Sequence, residues 1–260
     1  MTRSPLLEAQ SLVKNFGGLT AVADVSVHFD QNELIGLIGP NGAGKTTLFN
    51  LLTGETPVSS GTISFHSDHG VVSLTGKRLS QIAQIGVSRT FQNIRLFKEL
   101  SVLDNVRIAM TNHYREGFWT SVFRLPGHYQ TETAMTKAAT ELLAIFDLTA
   151  VADQPAKSLP YGVQRRLEIV RALATKPKLL FLDEPAAGMN PEETADLTAL
   201  IRQIQRDFHI TVVLIEHDMS LVMNVVERLY VLEHGALLAT GTPAEIQRNP
   251  AVIKAYLGGE

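Results

Sequence analysis

The chain has 260 residues and no cysteine. That absence excludes disulfides, thiolate nucleophiles and cysteine-ligated zinc together, and it suits a reducing compartment. A basic excess is also missing: 23 lysines and arginines stand against 26 acidic residues, for a formal net charge of −3. Nucleic-acid binders draw most of their affinity from neutralising phosphates, so this balance argues against such a partner. No apolar run approaches the roughly 18 residues of a membrane-spanning helix. The segment Met1–Glu8 lacks the apolar stretch of a secretory signal. Any link to a membrane is therefore expected to run through a partner protein. Repeats, low-complexity tracts and long linkers are missing as well. What remains is 45% hydrophobic and 19% charged, an ordinary composition for a chain that buries a sizeable core.

Short apolar runs alternate with helical patterns, which predicts an α/β fold. Glu33–Ile38 reads as a strand running into a glycine-rich loop, followed by a helix from Lys45 to Thr53. Lys178–Leu182 and Thr211–Ile215 are apolar without alternation, as strands of a buried parallel sheet are. Between them Leu197, Leu200, Ile201, Ile204 and Phe208 recur at helical spacing, so the segment predicts a βαβ crossover. Residues 6–13, 25–29, 61–65 and 71–74 read as short strands of an antiparallel layer. The stretch 90–165 is mostly helical, with Ala134, Ala138, Leu142 and Phe146 on one helix face, and reads as a subdomain inserted into the core. The expected division is 1–89 and 166–240 for the core with its β layer, 90–165 for the helical subdomain, and 241–260 for a helical tail.

The loop Gly39-Pro40-Asn41-Gly42-Ala43-Gly44-Lys45-Thr46-Thr47 satisfies G-x-x-x-x-G-K-[ST]. Glycines let the backbone curl until successive N–H groups point at one anion, and the following helix adds its N-terminal partial charge. Lys45 supplies a cation for the β- and γ-phosphates, and the Thr46 hydroxyl suits Mg²⁺. The strand before the loop and the helix after it are the setting this mechanism needs. The loop alone does not distinguish kinases, GTPases and motor ATPases. A second apolar strand ends in Asp183-Glu184-Pro185. There Asp183 can hold Mg²⁺, and Glu184 can polarise the water that attacks the γ-phosphate, an assistance worth about 10²–10⁴ in rate. His66 and His69 have the spacing of a metal pair but lack further ligands.

With these motifs in order, the chain resembles, over nearly its whole length, the nucleotide-binding subunit of ABC transporters. The resemblance implies a P-loop NTPase core with a parallel sheet, an N-terminal antiparallel layer and an inserted helical subdomain. It implies ATP and Mg²⁺ as cofactors. Phe16, which on its own reads as a core residue, matches the aromatic that stacks on adenine, an interaction worth about 1–3 kcal/mol per base. Gln92, in Arg89-Thr90-Phe91-Gln92-Asn93, matches the glutamine that reaches Mg²⁺ and the attacking water. His217 matches a switch histidine that contacts the γ-phosphate. Leu159–Glu168 matches the signature segment usually written L-S-G-G-Q, with departures: Pro160 replaces the serine, Tyr161 the first glycine and Val163 the glutamine. Proline has neither hydroxyl nor N–H, so the serine contact is lost at 160. Gly162 keeps its N–H at the opening of a helix, and Ser158 is a candidate helix cap. Asn190 stands where the loop after Glu184 usually has an aspartate.

The Tyr161-Gly162 variant, the Ala186–Pro191 loop and the tail Asn249–Gly258 resemble one branch, the ATP-binding subunits of bacterial branched-chain (hydrophobic) amino acid uptake transporters. Cassettes for urea or amide uptake and for lipopolysaccharide export share much of this. The resemblance implies a head-to-tail pairing with a second cassette, identical or paralogous. It also implies permease subunits that contact the helical subdomain, and a place on the inner face of the bacterial cell membrane. A segment near 111–135 with Phe118, Trp119 and Phe123 fits the same branch. Two other classes remain open. A soluble ABC-type ATPase of translation or repair would usually carry two cassettes or a coiled coil, and a P-loop kinase would not need the signature, Gln92 and His217.

Overall fold

The computed structural model describes residues 4–68, 70–112 and 126–257. His69, Phe118, Trp119, Phe123 and Gly258 lie outside them. The chain packs as two units, one formed by Met1–Arg89 with Lys178–Glu260 and the other by Thr90–Pro177. Position 165, where the sequence reading ends the helical insertion, falls inside a helix of the second unit.

Among the described residues, the first unit holds every strand. β1 (Pro5–Phe16) and β2 (Leu19–Asp30) pair antiparallel. With β4 (Ser60–Ser67) and β5 (Gly70–Ser73) they form a sheet of order β2-β1-β4-β5. Along β2 the inward positions alternate as Val25, Val27 and Phe29, with Ser26 and His28 outside. The alternation slips where Ser11 and Asp24 take positive φ of 48° and 52°. There the register shifts between Ala9 and Leu12, so both side chains enter the core three positions apart. An extra residue of this kind is a β-bulge, and it lets β1 and β2 run longer than the patterns at 6–13 and 25–29 suggest.

The second sheet has the order β10-β9-β3-β8-β7-β6. β3 (Leu34–Ile38), β7 (Leu179–Asp183) and β8 (Thr211–Ile215) are buried at every residue. Their unbroken apolar runs fit a parallel sheet covered on both faces. β6 (Val87–Arg89) and β9 (Arg228–Glu233) join them in parallel, and β10 (Ala236–Gly241) closes one edge antiparallel to β9. His234 and Gly235, at φ 48° and 79°, make the tight turn between β9 and β10. Edge-to-face rings tie the layers: Phe49 meets Phe181 at 5.0 Å between centroids, Phe181 meets Phe29 at 6.0 Å, and Phe29 meets Tyr230 at 6.1 Å.

The helices of this unit are α1 (Lys45–Leu52), α2 (Leu79–Ile85), α6 (Pro191–Phe208), α7 (Met219–Val225), α8 (Pro243–Arg248) and α9 (Pro250–Leu257). The crossover helix α6 buries Leu197, Ile201 and Ile204 along the face its spacing predicts. It opens on a capping box: Asn190 Oδ1 accepts from Glu193 N at 3.0 Å, and Glu193 Oε2 accepts from Asn190 N at 3.0 Å.

The second unit is helical, with α3 (Val102–Met110), α4 (Pro126–Ile145) and α5 (Tyr161–Ala174). Ser101 caps α3 by accepting from Asp104 N at 3.0 Å. Buried Asn105 pins the preceding turn, accepting from Phe97 N and donating to the carbonyls of Phe97 and Ser101. The α4 face needs correction. Ala134 is exposed, while Ala139, Leu142 and Leu143 are buried and Phe146 packs just beyond the helix end. Small alanines on both sides of the stripe hid its true edge. Among the described residues no helix is long and apolar enough to cross a membrane.

Candidate functional site

β3 delivers the chain into the glycine loop, and two of its glycines are required by space as well as by backbone. Gly39 sits at φ 151°, where a Cβ would lie 2.2 Å from Leu232 O. Gly44 sits at φ 95°, where a Cβ would lie 2.5 Å from Ala21 O. Such backbone is open to glycine and strained for other residues. α1 begins at Lys45 with no acidic residue in its first turn, so its positive end is not neutralised from within. Buried Lys45 is held with Nζ 2.7 Å from Gly39 O and 2.9 Å from Pro40 O. Burial lowers its pKa, and the charge of Glu184 opposes that shift. The β9–β10 turn braces the loop, with Gly235 N donating to Ala43 O at 3.0 Å. In the tail helix, burial raises the pKa of the Tyr256 hydroxyl, and the Gly39 N–H opposes the rise.

Beside the loop lies a cavity of about 620 Å³, lined by residues 41–47, by Phe16, Leu19, Thr20 and Ala21, and by His217, His234 and Gly235. Phe16 is 52% exposed at its wall and not part of the core. An exposed ring there can offer a face to a flat base. Thr46 and Thr47 turn toward the same space.

β7 ends at Asp183, which is buried and paired with Arg89, Nη2 to Oδ2 at 3.3 Å. Arg89 also donates to Asn50 Oδ1 at 2.9 Å and Thr53 Oγ1 at 2.8 Å, and lies 5.0 Å over the Phe49 ring. The guanidinium thus ties the end of β7 to the helix that follows the phosphate loop. Glu184 takes a positive φ of 46°, an uncommon state for a non-glycine residue that concentrates at functional sites. Its N–H donates to Ile215 O at 3.0 Å, and its Oε1 lies 2.9 Å from His217 Nε2.

Glu216 is a residue that motif reading misses. Its buried carboxylate accepts from Ala186 N at 2.7 Å and from His217 N at 3.2 Å. It therefore joins the turn after Glu184 to the segment carrying His217. Burial raises its pKa, the two N–H groups oppose that, and the charge of Glu184 adds to it. The available signal was an acid directly after a five-residue apolar strand, in Ile215-Glu216-His217. Arg89 had no comparable signal, since a lone arginine three residues before a glutamine carries no pattern.

Thr46 and Asp183 offer hard oxygen donors, the type Mg²⁺ takes. Among the described residues no group of three or more His, Asp or Glu gathers as a metal cage. That fits an ion held by one or two side chains together with phosphate oxygens and water. His66 instead lies 3.3 Å from Glu8 Oε2.

Gln92, Tyr161 and Gly162 belong to the second unit. Gln92 O accepts from Arg165 Nη2 at 3.3 Å. α5 opens at Tyr161 with Pro160 as its N-cap and no side-chain cap. Ser158 does not cap it: its hydroxyl donates to Pro155 O at 2.7 Å. The side chain of Tyr161 is 47% exposed at this helix start.

Residues 22–187 match the family model of ABC transporters, and residues 236–260 match that of the branched-chain amino acid ATP-binding cassette transporters. LivG of Escherichia coli K12, a high-affinity branched-chain amino acid transport ATP-binding protein, is 46% identical over 255 residues, 98% of each chain. BraF of Pseudomonas aeruginosa, of the same description, is 45% identical over 254 residues, again 98% of each. The lipopolysaccharide export system ATP-binding protein LptB of E. coli K12 is 35% identical over 252 residues, 97% of each. Among solved structures, a nucleotide-free ATP-binding cassette from an ABC transporter matches with a TM-score of 0.82 at 31% identity, over 99% of this chain and 100% of that one. From the glycine loop to the tail, the chain belongs to the ABC transporter family, as one of its ATP-binding cassettes.

Proposed function

We propose that this ATPase is the motor subunit of an importer for branched-chain or other hydrophobic amino acids, bound through permease subunits to the inner face of the cell membrane. The observation that carries the chemistry is the cavity between Phe16 and the phosphate loop, with His217 on its wall and Glu184 held by that histidine at 2.9 Å. Residues 39–47 hold the phosphates through N–H groups and Lys45, and Phe16 stacks on the base. Glu184 takes the proton of the attacking water as the water oxygen bonds to the γ-phosphorus and the bond to the ADP oxygen breaks. His217 orients Glu184 and meets the γ-phosphate. Thr46 and Asp183 would hold Mg²⁺, to which the resemblance also assigns Gln92, and the ion would supply charge that neutralises the phosphates.

One chain carries a single phosphate loop and a single signature, over a hundred residues apart in sequence. We infer that two cassettes close head to tail, with Tyr161 and Gly162 of one completing the phosphate site of the other. The first unit serves as nucleotide-binding core and the second as the helical subdomain that meets the permease. ATP drives closure by binding the closed state better. The tail match and the similarity to LivG and BraF favour amino acids over lipopolysaccharide as cargo. Deleting the gene should abolish high-affinity uptake of labelled leucine, isoleucine or valine, with return on supplying the wild-type chain. Unchanged uptake together with a defect in lipopolysaccharide export would overturn the cargo assignment.

A further inference from the structure

The segment from Thr90 to Phe97 carries Gln92 and has no helix or strand of its own. Backbone polar groups in such a segment need partners from elsewhere. Here one ion pair on α5 supplies four of them. Arg165 Nη1 donates to Phe91 O at 2.6 Å and Nη2 to Gln92 O at 3.3 Å. Glu168 Oε1 accepts from Phe91 N at 3.2 Å and from Arg95 N at 3.4 Å. The two side chains are joined to each other, Nη1 to Oε2 at 2.7 Å. A third α5 residue, Arg171, donates to Arg95 O and lies 4.9 Å over the Phe97 ring, while Arg95 stacks 3.7 Å over Phe91.

The burial makes this arrangement unusual. Arg165 is 0% exposed and Glu168 5%. Desolvating such a pair costs so much that well-packed apolar residues often serve stability as well or better. An ion pair retained in a core, with four bonds to one loop's backbone, is suited to fixing a conformation. The spacing 165, 168, 171 puts all three grips on one side of the helix whose first residues are Tyr161 and Gly162.

We propose that Arg165 and Glu168 are positioning residues for hydrolysis: they lock the Gln92 segment onto the signature helix, so that Gln92 and the signature move as one body. This rests on the reading of Gln92 as a residue of the hydrolytic site. The lock holds the Gln92 backbone at a set height against α5, and loss of the lock lets the side chain wander. A displacement of about 1 Å can cost roughly 10²-fold in rate. The nucleotide pocket of the first unit contributes no residue to the lock, so ground-state affinity stays.

The test is a double-mutant cycle on the purified chain, with Arg165→Lys, Glu168→Gln and Gln92→Ala alone and combined. Steady-state ATPase activity gives kcat, and a fluorescent ATP analogue gives Kd and binding stoichiometry. Lysine keeps the charge but not the fork, and glutamine keeps the shape but not the ion pair. Each should lower kcat by roughly 10- to 10²-fold with Kd within about twofold and one nucleotide bound per chain. On the Gln92→Ala background neither should lower kcat further. Wild-type kcat in both single variants overturns the lock. So does a further fall on the Gln92→Ala background, because the residues then act by another route. Wild-type kcat in Gln92→Ala alone instead refutes the role of Gln92 on which the lock depends. Should Arg165→Lys not fold, Glu168→Gln, nearly isosteric, carries the same cycle.

Discussion

Arg89 shows how much of this site rests on residues outside the motifs. It is buried against Asp183, and its Nη1 donates to Asn50 of the helix after the phosphate loop and to Thr53 at that helix's C-cap. Arg89→Ala would leave the Asp183 carboxylate buried without this cation, and breaking a buried pair in that way costs about 3–5 kcal/mol. Urea unfolding should show that loss, whereas a change under about 1 kcal/mol would mean solvent had taken the place of the guanidinium. Glu216 acts in the same spirit on the other flank, holding Ala186 N and His217 N. Neither role was legible in the sequence, because a lone Arg or Glu has no spacing to test. The residues that were legible stand in patterns. Gly39, Gly44 and Lys45 share a loop whose backbone demands them, and Asp183 and Glu184 end an apolar run. Phe16 without its family context reads as core, and exposure at the cavity wall decides against that.

Elements were legible where one period dominated. β3, β7 and β8 are unbroken apolar runs, and α6 shows its stripe cleanly. β6 is only three residues long, below the reach of any periodicity. β9 and β10 were missed although His234-Gly235 between two apolar runs is a hairpin signal. On α4 the stripe is displaced from Ala134 because alanine suits either face of a helix. Capping departs from the expectation in a different way. Ser158 bonds to its own turn and α5 begins bare after Pro160, while Asn190, which by resemblance stands in place of an aspartate, caps α6. Asn190→Ala should therefore cost about 1 kcal/mol of stability, within the range of 0.5–2 for caps. Thermal unfolding of the purified variant reads this directly, and an unchanged midpoint would show that the box contributes nothing.

The whole molecule divides into two units. The first gathers the phosphate loop, Phe16 and His217 around one cavity, with Glu184 bonded to that histidine. The second carries Gln92 on an irregular segment that buried charge on α5 grips, and α5 itself opens with Tyr161 and Gly162 of the signature. The insertion was legible as a helical stretch between two parallel strands, but not the extent of its packing, since α5 continues the helical pattern past 165 without a break. The central claim is that the first unit hydrolyses ATP with Glu184 as the base. Phosphate release by Glu184→Gln, measured beside ATP binding, tests it most directly. The variant should keep ATP affinity like that of the wild type, with turnover lower by about 10²–10⁴ and a cassette dimer that persists in ATP on size-exclusion chromatography. Phosphate release at the wild-type rate would contradict it.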